Sequence, residues 1–368
     1  MNVNRKYLLS KDGNFYKANL HSHTIVSDGH LTPVEAKKAY KEKGYSVIAF
    51  TDHNVILPCQ ELSDKDFLAL EGVEIDVSDY TTVHPVAKHQ RNVSVHINMI
   101  ALRPSLPHPC WHDDESPEYG TVPQYRDRMI IKDIPQIKRQ YSNISGMMKH
   151  ARDLGYFVVY NHPSWNLENY PRYMRHEYMN AVEVLNGGSI ESGVMDDDIA
   201  VYDDMLRGGK RIFCVGGDDN HNGKDGEFSL IDSFRAWTVI KAKSLDYASV
   251  GDALLAGNFY TSEGPEITEL YLDGDILHIE CSDADNIRLS TAQRICSRVR
   301  CKEGEALTSA DFKIHPASDY FRVTVTDKRG RRAFTNAYFL DTLGLETAEV
   351  TELKATTKNK YLHIEEQK

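Results

Sequence analysis

The chain has 368 residues, of which 41% are hydrophobic and 26% are charged, a composition typical of a globular protein with one large domain or two domains. The formal net charge of −11 argues against a surface that coats nucleic acid, because such a surface would be basic. An acidic protein that acts on anionic substrates needs local positive charge, and bound metal ions would supply it.

The composition also narrows the class of protein. The sequence has no apolar run as long as a membrane span, and the apolar stretch near its start is too short for a secretory signal. The six cysteines are scattered without a Cys-x-x-Cys pair, so neither a disulfide scaffold nor a cysteine zinc site is indicated. We therefore expect a cytoplasmic protein with no membrane partner.

The first motif whose side chains could bind a metal or take part in catalysis is Asn-Leu-His-Ser-His-Thr. Its two histidines, His21 and His23, are separated by one residue. On a β-strand both imidazoles would lie on the same face, because strand side chains alternate. Asp28 follows in a glycine-containing turn and could return to the same place. Histidine and carboxylate are usual ligands of Zn, Mn and Fe, although two solvated histidines at a strand end would fit this motif equally well.

Downstream, apolar runs that predict strands alternate with amphipathic segments that predict helices. The predicted strands cover residues 46–50, 72–75, 93–102, 156–160, 181–185 and 211–215, and the predicted helices cover residues 34–43, 145–154, 199–207 and 244–256, the last capped by Ser244. Parallel strands joined by helices form a barrel or a doubly wound sheet, and both place functional residues at the carboxyl ends of the strands.

Three segments depart from this pattern. Residues 103–141 have poor periodicity and predict a long insertion. Short alternating strands with turns between them follow in the last third of the chain and predict a small antiparallel β-domain, as in a sandwich. We therefore predict an α/β domain over residues 1–262, a β-domain over residues 263–343 and a polar tail over residues 344–368.

Nearly every predicted strand ends in a histidine, an aspartate or a glutamate. Besides the first motif, these strand-end residues are His53, Glu74, His162, Asp219 and His221, while His96 lies inside the strand 93–102. So many hard-metal ligands at one edge predict a site for more than one metal ion.

The order of the motifs resembles that of a known family. His-x-His with Ser-Asp-Gly, then Thr-Asp-His-Asn, Gly-Val-Glu, the strand with His96, Asn-His-Pro and Asp-Asn-His resemble the PHP (polymerase and histidinol phosphatase) family of metal-dependent phosphoesterases. The resemblance covers roughly residues 15–225 and implies a distorted (β/α)7 barrel. Residues 254–265 and the later strands further resemble the CehA/McbA-like branch, in which the barrel carries a C-terminal β-domain.

The resemblance implies three sets of metal ligands, with one carboxylate shared by the first two sets. The sets are His21, His23, Glu74 and Asp219; Glu74, His96 and His162; and Asp28, His53 and His221. Such mixed sites accept Mn, Fe or Zn, so two or three divalent ions are expected. Some family members have histidine where Asp28 stands, which leaves occupancy of the third set open.

The implied reaction is hydrolysis of a small-molecule phosphate monoester by a metal-bridging hydroxide. Asp52, beside His53, is the catalytic candidate, as a carboxylate that orients a ligand histidine, and capping of a turn is its alternative role. Asn54 and Glu183 are weaker candidates.

Two other functions remain open at this stage. The same metal centre could hydrolyse a carboxylic or carbamate ester by polarising a carbonyl group. Alternatively, the chain could be a non-catalytic protein whose β-domain binds a glycan or another partner. Missing ligands would favour that reading, and none of the nine is missing. The sequence leaves the oligomeric state open.

Overall fold

The computed structural model describes residues 5–79, 93–110, 137–224, 227–316 and 318–345. Most of the predicted insertion 103–141 and of the predicted tail 344–368 lies outside the described residues. The described chain is a mixed α/β structure with one large sheet, a four-stranded sheet and a short two-stranded one. No helix in these ranges is long and apolar enough to cross a membrane.

Seven strands, consecutive in the sequence, carry or precede all nine predicted ligands and are neighbours in the large sheet. After the short strand β1 (Lys6–Tyr7), they are β2 (Asn14–Asn19), β3 (Val47–Phe50), β4 (Leu68–Asp79), β5 (Val93–Ala101), β6 (Tyr156–Tyr160), β7 (Ala181–Asn186) and β8 (Phe213–Gly217). Strands β3 and β6 are buried along their whole length, as their continuous apolar runs predict.

The predicted parallel arrangement is wrong at β5. Strands β2 to β4 are parallel and so are β6 to β8, but β5 is antiparallel to both β4 and β6. Asp76 of β4 therefore lies opposite His96 in the first half of β5. We call the edge at which the other strands of this group end the carboxyl edge. Because β5 runs the other way, His96 reaches this edge from the start of its strand.

Individual hydrogen bonds bring together β2 and β8, the first and the last of the seven strands. No continuous backbone ladder joins these two strands in the described ranges. Asp218 N donates to the side-chain oxygen of Asn19 in β2 at 2.9 Å. Beyond the strand ends, Asp219 N donates to His21 O at 2.9 Å and His23 N donates to Asn220 O at 3.1 Å. These bonds hold the segment after β8 directly against the His-x-His segment after β2.

Helices connect several of these strands. They are α1 (Pro33–Glu42), α2 (Ile144–Leu154), α3 (Pro163–Asn166), α4 (Tyr170–Tyr173), α5 (Gly187–Glu191), α6 (Ile199–Arg207) and α7 (Tyr247–Leu255). Helices α1, α2 and α6 match the predicted helices to within one residue, and Thr32 and Glu35 form a capping box that starts α1. Helix α7 is capped by Asp246 and not by Ser244, because the Asp246 carboxylate accepts the Ser249 N–H at 2.8 Å.

Most of the remaining strands build a second apolar core. In chain order the strands are β9 (Gly223–Lys224), β10 (Glu227–Phe228), β11 (Trp237–Ala242), β12 (Phe259–Ser262), β13 (Ile267–Asp273), β14 (Ile276–Cys281), β15 (Asn286–Thr291), β16 (Ser297–Arg300), β17 (Ser309–Lys313), β18 (Tyr320–Thr326), β19 (Arg332–Thr335) and β20 (Tyr338–Phe339), followed by helix α8 (Leu340–Leu343). Strands β1, β13, β14 and β17 form the four-stranded sheet. Its apolar side chains, such as Leu270 and Ile279, share a core with Ile287 and Val323 of the large sheet.

Candidate metal centre

The nine predicted ligands lie in one cluster at the carboxyl edge. They are His21, His23 and Asp28 after β2, His53 after β3, Glu74 in β4, His96 in β5, His162 after β6, and Asp219 and His221 after β8. His21, His23 and Glu74 are fully buried, whereas the side chains of Asp28 and His221 are partly exposed. The cluster thus has a closed side and an open side.

Four side chains form its innermost group. His21 Nε2 and His23 Nε2 are 3.2 Å apart. Asp219 Oδ1 lies 3.1 Å from the first nitrogen and 2.9 Å from the second, and the Glu74 oxygens lie 3.1 and 3.2 Å from them. Ligand atoms about 2.1 Å from one ion are separated by about 3 Å in octahedral geometry, so these spacings are those of a coordination shell.

Glu74 also faces a second group. Its Oε1 atom lies 3.1 Å from His96 Nδ1 and 3.4 Å from His162 Nε2. The same oxygen is 3.1 Å from His21 Nε2, in the innermost group. Glu74 is therefore placed between the two groups, where a carboxylate could bridge two ions.

The third group is looser and more exposed. Asp28 Oδ2 lies 3.3 Å from His221 Nε2 and 3.7 Å from His53 Nε2. His23 links this group to the innermost one, because its Nδ1 is 3.6 Å from Asp28 and its ring stacks on His221 at a centroid distance of 4.3 Å. The wider spacing is consistent with a site that holds its ion less tightly.

Buried oxygen atoms test whether metal ions fit this cluster. Glu74 Oε2 and Asp219 Oδ1 are inaccessible to solvent and make no hydrogen bond, although each lies close to histidine nitrogens. Buried polar atoms are normally bonded, and unbonded ones near each other are typical of ligands that face a shared ion. The donor atoms therefore fit divalent metal ions.

The charges lead to the same conclusion. Burial opposes protonation of His23, but the nearby carboxylates of Asp219 and Glu74 outweigh it and raise the pKa of His23 to about 10. Burial likewise disfavours the Glu74 carboxylate, but His21 and His96 hold its pKa well below the usual range. Without metal, protonation of imidazoles such as that of His23 would have to balance much of the carboxylate charge. Divalent ions would compensate them with neutral imidazoles.

Two of the predicted ligands have unusual backbone conformations. His162 has φ of 22° and Asp219 has φ of 51°, both in the positive range that favours glycine. Such conformations cost about 1–3 kcal/mol each and persist where surrounding contacts hold them, often at functional sites. Here the His162 N–H donates to Glu183 at 3.2 Å, and the Asp219 N–H donates to His21 O.

Three further residues support the cluster, and sequence reasoning gave them little or no weight. Buried Glu183 contacts His21 Nδ1 at 3.1 Å, which leaves Nε2 of that ring facing the innermost group. Asn161 donates to Glu74 Oε1 at 2.7 Å, and Asn186 donates to Glu183 at 2.8 Å. Asn161 stands in the Asn-His-Pro motif and Asn186 ends β7, so their position at strand ends was the available signal.

Asp52 does not make the contacts that its predicted role requires. Its carboxylate accepts the backbone N–H groups of Thr24 and Ser27 at 2.8 and 3.1 Å, and both of their hydroxyls at 2.9–3.0 Å. It is buried behind the loop from His23 to Asp28 and reaches His23 only through Ser27, whose hydroxyl is 3.4 Å from His23 Nδ1. Asp52 therefore holds the loop and does not orient a histidine directly.

Asp218, the neighbour of Asp219, faces away from the cluster. It accepts the Tyr40 hydroxyl at 2.8 Å and the backbone N–H groups of residues 234–236. Burial raises its pKa to about 6, against the effect of these bonds. The prediction that Asp219 is the ligand of this pair agrees with the observed placement.

A cavity of about 650 Å³ opens beside the cluster. All the predicted ligands except His21 and His23 line it. Its other walls are formed by Asp76, Ser78, Ser94, Trp165, Gly188, Ser189, Glu191, Ser192, Gly223, Ile231 and Asp232. A cavity of this size accepts a small-molecule substrate.

No protein-family model and no curated protein matches the chain. One similar solved structure is a two-domain protein from Bacteroides vulgatus that contains a predicted PHP-like metal-dependent phosphoesterase. The sequence identity is 15% and the TM-score is 0.39, and the similarity covers 91% of this chain and 90% of that chain.

Two further solved structures are similar to about three fifths of the chain or slightly less. One is a candidate metal-dependent phosphoesterase from Bifidobacterium adolescentis, at 17% identity and a TM-score of 0.38, with 60% of this chain and 92% of that chain covered. The other is an amidohydrolase from Chromobacterium violaceum with bound sulfate and no metal, at 17% identity and a TM-score of 0.35, with 55% and 87% covered. These similarities are weak, so the functional conclusion rests on the side chains of this chain.

Proposed function

We propose that the chain is a metal-dependent hydrolase of the PHP family that cleaves phosphate monoesters of small molecules. The convergence of nine histidine and carboxylate side chains into three groups that share Glu74 and His23 carries this proposal. The open side of the cluster faces the cavity, so a substrate phosphate could reach it directly. Hydrolysis would form a bond from a water oxygen to phosphorus and break the ester bond, which releases an alcohol and inorganic phosphate.

Divalent ions bound here would supply Lewis-acid charge for the phosphoryl oxygens and activate the attacking water. The chain's own residues keep the donor atoms in place. Glu183 fixes the orientation of His21, and Asn161 fixes the Glu74 carboxylate. Asp52 holds the loop that joins His23 to Asp28, so it positions these two ligands indirectly, through the loop.

We also infer that the seven strands β2–β8 correspond to the distorted (β/α)7 barrel of that family. The bonds between the segments after β2 and β8 support this inference. The division into an α/β domain over residues 1–262 and a β-domain over residues 263–343 remains a proposal. The apolar core shared by β13–β15 and β18 supports it.

The test is phosphate release from a panel of phosphate monoesters by the protein loaded with Mn²⁺. The wild type is compared with a double variant, His53→Ala with Glu74→Gln, which removes donors from all three groups. We expect metal-dependent release from the wild type and a loss of more than about 100-fold in the variant, since the loss of ligands exceeds the usual effect of their outer partners.

A matched control carries His278→Ala with Glu280→Ala, which removes the same residue types from β14. It should retain activity. Metal content and circular dichroism establish that each protein is folded and loaded. If the metal-loaded wild type releases no phosphate from any ester, the phosphatase proposal is wrong. Release of acid from carboxylic or carbamate esters would then assign that reaction to the same metal centre.

A further inference from the structure

Trp165 lies at the border between the metal cluster and the cavity. Its indole ring packs on His96 at a centroid distance of 4.6 Å and on His162 at 5.1 Å. The residue is nevertheless 39% exposed and lines the cavity. One part of the ring therefore contacts two proposed ligands, while another part is open to whatever occupies the cavity.

The local backbone holds this ring in place. Trp165 belongs to the short helix α3, and its N–H donates to His162 O at 2.9 Å. Proline at the start of α3 restricts the chain directly after His162. The indole is thus fixed relative to the ligand that precedes it, so a group joined to a phosphate at the cluster would lie within reach of the ring.

The described part of the cavity lining offers no permanently charged cation to a second anionic group. Among the described residues that line it there is no lysine or arginine. Two of its acidic residues, Asp76 and Glu191, are paired with Arg139 and Arg235, neither of which lines the cavity. These carboxylates would repel a leaving group with its own negative charge, whereas they would not repel a neutral one.

Trp165 is also the exposed apolar side chain nearest to a bound substrate. Of the ten large hydrophobic residues that are exposed in the described part of the chain, Trp165 alone lines the cavity. An apolar group bound beside the cluster would therefore contact this ring.

We propose that Trp165 is a specificity-determining residue that selects phosphate esters whose leaving group is neutral and carries a planar ring. This inference rests on the proposed phosphatase function and names its substrate class. The ring of the leaving group would stack on the exposed part of the indole while its phosphate binds at the cluster. Stacking adds to the effect of apolar burial alone, so a planar ring is favoured over a saturated ring of the same size.

The experiment compares benzyl phosphate with cyclohexylmethyl phosphate. Both release a primary alcohol, so the chemical step is matched while only one ring is planar. In the wild type we expect kcat/KM for the benzyl ester to be about fivefold higher. Trp165→Leu should bring this ratio close to one, and Trp165→Phe should restore part of it. A third ester, 4-carboxybenzyl phosphate, should be a poorer substrate than the benzyl ester because of its added charge.

Tyr178→Leu is the matched control. Tyr178 is 46% exposed and precedes β7, at the opposite edge from the cluster, so its replacement should leave the ratio unchanged. Metal content is measured for every variant, because Trp165 also packs on two proposed ligands. An equal ratio in wild type and Trp165→Leu, or a preference for the saturated or the carboxylated ester, would overturn the proposal.

The two proposals can fail separately. If no phosphate ester is hydrolysed, benzylphosphonate and methylphosphonate are titrated calorimetrically into metal-loaded wild type and Trp165→Leu. Tighter binding of benzylphosphonate that depends on Trp165 would support the specificity inference even without phosphatase activity. Equal binding of the two phosphonates to the wild type would overturn it.

Discussion

In the described part of the chain, two regions bring histidine and carboxylate side chains within reach of a shared ion. One is the cluster at the carboxyl edge, and the other consists of Glu269, His278 and Glu280 in β13 and β14. In the second region His278 Nδ1 is 2.7 Å from Asp311, and its Nε2 is 3.7 Å from Glu280. Residue types and spacing alone do not separate the two.

The two regions differ in the burial of their carboxylates and in the contacts that hold their side chains. Glu280 has a side chain that is 52% exposed, so water can solvate its charge, whereas Glu74 is fully buried among imidazoles. The first cluster is also held by Glu183 and Asn161, and two of its members have positive φ. A carboxylate that water solvates needs no counter-ion, while a buried one does. We therefore expect tight metal binding only at the carboxyl edge.

The largest effect should come from Glu74→Gln. This change keeps the size of the side chain but removes the negative charge shared by two groups of ligands. We expect loss of the first two ions and a fall of more than about 100-fold in metal-dependent activity. Metal analysis after dialysis, together with rates under saturating metal, would show it. If this variant keeps its full metal content, the buried charge of Glu74 is not what distinguishes the carboxyl edge from the second region.

Glu183→Gln should have the next largest effect. Glu183 is not among the nine proposed ligands, but it fixes His21 through Nδ1. Loss of such an outer partner typically costs about 10–100-fold in metal affinity or activity. Titration of the apo-protein with Mn²⁺, with Glu177→Gln as an exposed control, measures this change. An unchanged affinity would show that the buried support around the cluster is not what distinguishes it.

A smaller effect is expected for Asp28→Asn. Asp28 belongs to the looser, partly exposed group, and the other two groups remain intact without it. The variant should lose no more than one ion and should retain more activity than Glu183→Gln. Loss of all bound metal would instead mean that the three groups fill as a single unit.

The smallest effect should come from the second region. His278→Ala with Glu280→Ala should leave metal stoichiometry unchanged and alter the free energy of unfolding by less than about 1 kcal/mol, since exposed ion pairs contribute little. Metal analysis measures the stoichiometry, and thermal unfolding with and without Mn²⁺ measures the change in stability. If this variant loses an ion, exposure is not the feature that decides between the two regions.

Much of the α/β part could be predicted from local signals. The capping box at Thr32 and the left-handed Gly155 at the end of α2 mark helix ends that depend on neighbouring residues only. Polar residues after apolar runs indicated the ligands, because the ends of parallel strands share an edge. The nine residues named from motif order all lie in the cluster, although their binding of metal stays a prediction.

The rest depends on contacts between distant segments. Nothing in the apolar run of β5 indicates its direction, since parallel and antiparallel strands can have the same hydrophobic pattern when both faces are covered. Asp52 was assigned to a histidine because it adjoins His53, yet the fold turns it toward Thr24 and Ser27. Glu183 acts on His21 across 162 positions of sequence, a relation that one sequence does not reveal.

The most direct test of the account is the metal content of the purified chain after loading and removal of excess metal, measured by mass spectrometry for the wild type and Glu74→Gln. We expect two or three ions per wild-type chain and at most one in the variant. A wild type that retains no ion, or a variant that retains as many ions as the wild type, would contradict it.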